Sequence, residues 1–191
     1  MDRFPHDNDF GVFAKESFIK IIRNGMSMLD EFLQMQINRL QKLNISFKVL
    51  PNKENELEQR WEEAFTNNIS NSQKRKMTFK QCMWNVFSWD KIECLEEWRA
   101  VAAFDQQKKE GCYLFYAFGE DAMYLPKADR LKTKDFVHPI NFAEEVGIDN
   151  EQKFEAPAVT YLMDIYIVDE HFTWSYVLTH EESCGPYFYK P

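Results

Sequence analysis

Glycine and proline are scarce in this chain, with six and seven respectively among 191 residues. Such scarcity argues against a loop-dominated or low-complexity chain. The four cysteines, Cys82, Cys94, Cys112 and Cys184, are scattered without paired spacing. A free thiol beside apolar residues behaves as a small hydrophobe, so a reducing cytoplasm is the expected setting. No stretch approaches the roughly 20 apolar residues that span a bilayer. The opening MDRFPHDNDFGVF has neither a basic n-region nor an apolar h-region and reads as no secretory signal. A Gly-rich phosphate loop, a G-x-S-x-G elbow and a dinucleotide fingerprint are all missing. Lys74-Arg75-Lys76 is the sole basic cluster, and without a basic surround it reads as a solvated face rather than a nucleic-acid site. No cofactor, metal, membrane or nucleic-acid partner is therefore expected.

What is present points to a globular chain. Apolar residues make up 45% and charged residues 28%, a balance that suits a soluble core-forming domain. Aromatics reach 16%, with seventeen Phe, so the core should be dense with rings. The length suits one domain better than two. Residues 26–191 are read as that domain and residues 1–25 as an N-terminal extension with helical patterning. The net charge of -8 is uneven: residues 101–191 hold eight basic against sixteen acidic residues, while the first hundred balance. An acidic half disfavours phosphate backbones and suits either plain solubility or a basic partner.

Apolar residues recur at three and four from Phe13 to Leu43, broken at Asn24-Gly25, which predicts helices over about 11–23 and 27–43. Ile45 to Leu50 alternates and stops at Pro51, a short strand. Glu54 to Ile69 is amphipathic, with Leu57, Trp61, Ala64 and Phe65 on one stripe. Phe79, Met83, Val86 and Phe87 fit a further helical stripe, and Leu95 to Lys109 another helix. Trp61, Trp84, Trp89 and Trp98 have core-like helical spacings, although Trp84 and Trp89 are five apart and one of them should reach the surface. After Gly111 the period falls to two. Cys112–Phe118 and Ala122–Leu125 read as one hairpin, and the region 159–189 as a second, turning at Asp169-Glu170-His171. Residues 127–157 are polar and mixed, the best place for a partner-facing loop. Helices first and strands last predict an α+β fold, with N-terminal helices on one face of a mostly antiparallel sheet of four to five strands.

Few residue sets suggest chemistry. His180-Glu181-Glu182-Ser183-Cys184 resembles a zinc spacing, but that motif needs a helix and this stretch leaves a strand towards Gly185-Pro186. His180, Cys184 and Asp164 or Glu181 could form a Cys-His-acid set. A simple hairpin register, pairing positions that sum to about 340, places Tyr176 opposite Asp164 and His180 opposite Thr160, which does not bring that set together. Asp164 interrupts an apolar strand, so it must be exposed, hydrogen-bonded or paired. With Tyr166, Trp174 and Tyr176 it reads either as an acid on a half-exposed face or as a small binding floor.

Trp84-Asn85-Val86-Phe87-Ser88, Cys112-Tyr113-Leu114-Phe115-Tyr116 and Asp164-Ile165-Tyr166-Ile167-Val168-Asp169 occur in that order. Thr173-Trp174-Ser175-Tyr176-Val177, Thr179-His180-Glu181 and Cys184-Gly185-Pro186-Tyr187-Phe188 follow them. The series resembles a family of small bacterial cytoplasmic proteins, mainly from Gram-positive spore formers, catalogued as domain of unknown function 4275. The resemblance covers roughly residues 28–189. Its members carry a His after the first Trp, where this chain has Asn85, a departure that counts against an enzyme if that His acts chemically. The family implies no activity, cofactor or catalytic residue.

Three functions follow as expectations. The first is a non-catalytic cytoplasmic interaction module, in its sharpest form an inhibitor or immunity-type protein for a basic partner. Its surface would hold Asp164, Tyr166, Trp174, Tyr176, His180 and Glu181. The second is a small-molecule binder or enzyme with a pocket near Asp164, His180 and Cys184. The third is a protein that acts only as an oligomer, which an exposed Trp84 or Trp89 would support.

Overall fold

The computed structural model describes residues 28–117, 119–138, 163–181 and 183–191. The expectations for residues 1–25, and for most of 127–157, fall outside them. Helix α1 (Met28–Lys42) buries Phe32, Gln36 and Leu40, four apart and hence on one face, and ends on Arg39 and Lys42, which complement the helix dipole. Strand β1 (Lys48–Leu50) follows, then α2 (Glu54–Phe65), whose buried stripe is Glu54, Leu57, Trp61 and Phe65. Ser70 and Gln73 form a reciprocal cap for α3 (Asn71–Lys76). The stripe from Phe79 to Phe87 predicts a helix, yet only α4 (Asn85–Ser88) is helical there. Residues 77–84 run through turns, with Thr78 at φ +52°, and their rings are nonetheless buried. Strand β2 (Leu95–Glu96) leads straight into α5 (Glu97–Gln106).

The remaining elements are β3 (Cys112–Tyr116), β4 (Ala122–Leu125), a single 3-10 turn at Thr133–Asp135, β5 (Ile165–Asp169), β6 (Ser175–Leu178) and β7 (Tyr187–Tyr189). The seven strands form one antiparallel sheet in the order β1-β4-β3-β5-β6-β7-β2. The strand count exceeds the expected four to five, because Leu95–Glu96 and Tyr187–Tyr189 pair with each other and close one edge.

The expectation of helices on one face is corrected too. Leu114, Ile165, Ile167, Tyr176 and Leu178 pack with Phe32 and Leu40 of α1 and Ala100 and Phe104 of α5. Phe115, Tyr166, Val168 and Val177, alternate on the same strands, pack with Leu57, Trp61 and Phe65 of α2 and with Val86 and Phe87 of α4. The central strands are apolar on both alternations, so each face needs a cover, and helices supply both. Among the described residues no helix is long and apolar enough to cross a membrane.

Candidate functional site

The β5–β6 hairpin decides what surrounds Asp164. Ile165 pairs with Leu178, Ile167 with Tyr176 and Val168 with Ser175, a register three residues away from the simple one. Asp169 sets it. Its Oδ1 accepts from the Thr173 N–H at 2.6 Å and the Trp174 N–H at 3.0 Å, while its Oδ2 accepts from the Thr173 hydroxyl at 2.8 Å. Phe172, at φ +56°, completes the wide turn. An odd shift exchanges the two faces of β6, which sends Trp174 and Tyr176 to the α1–α5 side, away from Asp164 and Tyr166.

The same shift brings Asp164 to His180. Oδ1 of Asp164 accepts from the His180 backbone N–H at 2.9 Å and lies 2.8 Å from His180 Nδ1. Oδ2 accepts from the Trp84 indole N–H at 2.8 Å. Asp164 is wholly buried, and three donors satisfy an acceptor that would otherwise be costly inside an apolar core. On the other side of the ring, Glu181 Oε1 lies 3.8 Å from His180 Nε2. The indole of Trp84 stacks on Tyr187 at 6.2 Å and meets the His180 ring edge-on at 6.1 Å.

Of the six predicted surface residues, the structure joins Asp164, His180 and Glu181. Tyr166, Trp174 and Tyr176 are buried, Tyr166 stacked on Phe115 at 5.3 Å and Tyr176 on Phe104 at 4.3 Å, and buried rings offer no face to a partner. Cys184 stands on the loop after His180, beside Glu181 and Tyr187, and burial together with Glu181 holds its thiol above the usual range. Burial, then Asp164, Glu181 and Cys184, push the Cys82 thiol up to about 12. Thiols held protonated are poor nucleophiles. Asn85 donates from Nδ2 to the Met77 carbonyl at 2.6 Å and to Thr78 Oγ1 at 3.1 Å, so it ties the turn together. A groove of about 220 Å³, lined by Asn55, Glu58, Gln59, Glu62, Phe79, Lys80 and Met83, contains none of the predicted site residues. Among the described residues no group of His, Cys, Asp and Glu is arranged to hold a metal ion.

A second region attracts notice because nothing covers it. Trp98 is 73% exposed, Trp89 49% and Leu95 40%, all within one short stretch of sequence that includes the edge strand β2. The core-like spacing of Trp98 is therefore misleading: Ala100 and Phe104, four apart, form the buried stripe of α5, and a residue two before Ala100 lies off it. The expectation that either Trp84 or Trp89 surfaces resolves in favour of Trp89, since Trp84 is buried. Glu97, at φ +52°, makes the sharp passage from β2 to α5, and its N–H donates to the Pro186 carbonyl at 3.0 Å. In the same stretch of sequence Asp90, Glu93 and Glu97 are exposed and Glu96 is half-buried.

Residues 34–188 match the family described as Domain of unknown function (DUF4275). No curated protein and no solved structure matches the chain.

Proposed function

We propose that this chain, which belongs to the family described as Domain of unknown function (DUF4275), is a non-catalytic protein-interaction module of the inhibitor or immunity type. The observation that carries the reading is Trp98, a ring 73% open to water on an ordered helix. Large apolar side chains left uncovered mark association surfaces, and tryptophan is among the residues that most often anchor them; Trp89 and Leu95, close by in sequence, are exposed as well. The docking surface is the 89–99 segment rather than the Asp164 face, whose rings are inside the core. Four free cysteines support a reducing, cytoplasmic setting. Affinity capture from the host lysate tests the reading. A stoichiometric partner held by the native chain and lost by Trp89→Ala/Trp98→Ala supports it, whereas equal capture by both overturns it.

A second reading rests on the Asp164–His180 contact. An imidazole held through Nδ1 by a carboxylate is the arrangement of a general base, and here Nε2 faces Glu181 at 3.8 Å. That reading makes the chain a small-molecule binder or enzyme near Asp164, His180 and Cys184. The protonated thiols weigh against nucleophilic catalysis there. A thermal-shift screen of small polar compounds separates the two readings: a stabilising compound lost with His180→Gln favours the pocket, and silence favours the interface.

A further inference from the structure

The groove beside α2 has two unlike walls and two unlike ends. One wall is α2, where Glu58 and Glu62 are four apart and so share a face, about 6 Å from each other along the helix axis. Asn55 and Gln59 add carboxamides to that wall. The other lining residues, Phe79, Lys80 and Met83, come from the turns that precede α4. At about 220 Å³ the groove is smaller than the roughly 300–1,000 Å³ of sites for drug-sized ligands, so its occupant is small.

At the Glu62 end one carboxylate meets two ammonium groups, Lys74 at 3.0 Å and Lys80 at 2.8 Å, which leaves a positive charge over. Both lysines also stand over the Phe79 ring, 5.1 and 6.0 Å from its centre. At the other end the Glu58 side chain is hydrogen-bonded to that of Glu54, which is almost wholly buried. Two carboxyls bond to each other only with a proton between them, so the pair carries one negative charge rather than two. Burial first, and then Glu58, hold that proton up to about 9, well above neutral pH. A carboxylate has about four acceptor sites, so the bond to Glu54 leaves room on Glu58 for a further donor.

A negative end and a positive end one helical turn apart select for a dipolar molecule. A lone cation would meet the surplus lysine charge, a lone anion would meet the carboxyl pair, and an apolar molecule would strip water from both. The ammonium and carboxylate of an α-amino acid stand one carbon apart, and a charge-assisted bond of about 2.8 Å at each end lets them bridge such a span. We propose that this groove binds a free α-amino acid with an apolar side chain, its ammonium on Glu58, its carboxylate on Lys80 and its side chain against Phe79 and Met83.

The test is isothermal calorimetry of the full chain with L-leucine, with isopentylamine and isocaproate as its two single-charge halves. Leucine should bind saturably at one site, and each half about tenfold or more weakly, since each lacks one charged hydrogen bond. Glu58→Gln keeps a bonding partner for Glu54 but removes the charge, and should weaken leucine about tenfold. Lys80→Ala, at a side chain 85% exposed, should weaken leucine several-fold and leave isopentylamine unchanged. Because Lys80 is at the surface, that variant keeps the test open if Glu58→Gln fails to fold. Leucine that does not saturate the protein overturns the proposal, as does a half that binds as tightly as leucine or leucine binding that neither substitution weakens. Binding kept by Glu58→Gln and lost with His180→Gln overturns it too, and places the ligand beside Asp164.

Discussion

Asp164, bonded to Trp84, and Glu97, next in sequence to Trp98, are both acids with a tryptophan neighbour, and the molecule treats them in opposite ways. Around Asp164 every polar valence is spoken for: Trp84 on one oxygen, His180 twice on the other. Around Glu97 the carboxylates have no ion partner among the described residues, and the neighbouring tryptophans stand in water. Satisfied groups in a buried cluster hold structure together, because removing any one strands the rest. Unsatisfied groups at a surface cost the free protein little and are available to something else. The two regions are joined through Tyr187, which stacks on Trp84 and pairs with Glu96. The comparison assigns Asp164 to stability and the 89–99 segment to binding, and variants can break that division.

The largest effect is expected at Asp164. Asp164→Ala leaves the Trp84 indole, the His180 amide and the His180 ring without their acceptor, for a loss of about 3 kcal/mol or more. Asp164→Asn keeps the shape but turns an N–H group towards a donor, for a smaller loss. Urea unfolding reads both. An Asp164→Ala protein as stable as the native chain would return this cluster to the list of functional sites. Trp84→Phe comes next, at about 1–3 kcal/mol, since it leaves Oδ2 of Asp164 unpaired and shrinks a buried ring.

These predictions also show what could be read without coordinates. The alternation of Ile165, Tyr166, Ile167 and Val168 announces β5, and its two faces are assigned correctly by period alone. The chemistry of its neighbour is not legible in the same way. Whether Asp164 meets His180 depends on a register, and the register depends on how Asp169 caps the turn through Thr173 and Trp174, a local detail that outweighs symmetry. One signal was available. A lone acid in an apolar strand needs donors, and a buried Trp84 needs an acceptor for its N–H. The strands Leu95–Glu96 and Tyr187–Tyr189 are too short for periodicity to reveal; the second is defined by pairing with β6 and the first by pairing with the second. Trp98 is the reverse case. Its position off the Ala100–Phe104 stripe was readable, but the hydrophobicity of tryptophan suggested burial.

Glu54 sharpens the comparison, as a buried acid without a cation. Burial first, and then hydrogen bonding to and repulsion by Glu58, raise its carboxyl to about 9. Between the ordinary carboxyl range and that value the folded chain keeps a proton that the unfolded chain releases. The stabilisation is full at low pH and is lost as pH rises through about 9. Glu54→Gln removes this dependence, so its stability relative to the native chain should rise steadily between about pH 5 and pH 9, by at most about 1.4 kcal/mol per pH unit. Parallel pH profiles for the two proteins would mean that the Glu54 proton is not retained on folding.

The smallest stability effect is expected where the binding effect is greatest. Among the described residues Trp98 touches no ring, and it sits off the buried stripe of α5, so Trp98→Ala should change unfolding free energy by no more than about 0.5 kcal/mol. Its helix gains slightly from alanine, because tryptophan loses rotamer freedom in a helix and alanine does not. If Trp98→Ala instead unfolds the protein readily, the ring is a structural member whose cover lies outside the described residues, and the division between the two regions fails. If it leaves stability untouched while abolishing capture of the partner, the exposed indole is held on an ordered helix for a use that folding does not require.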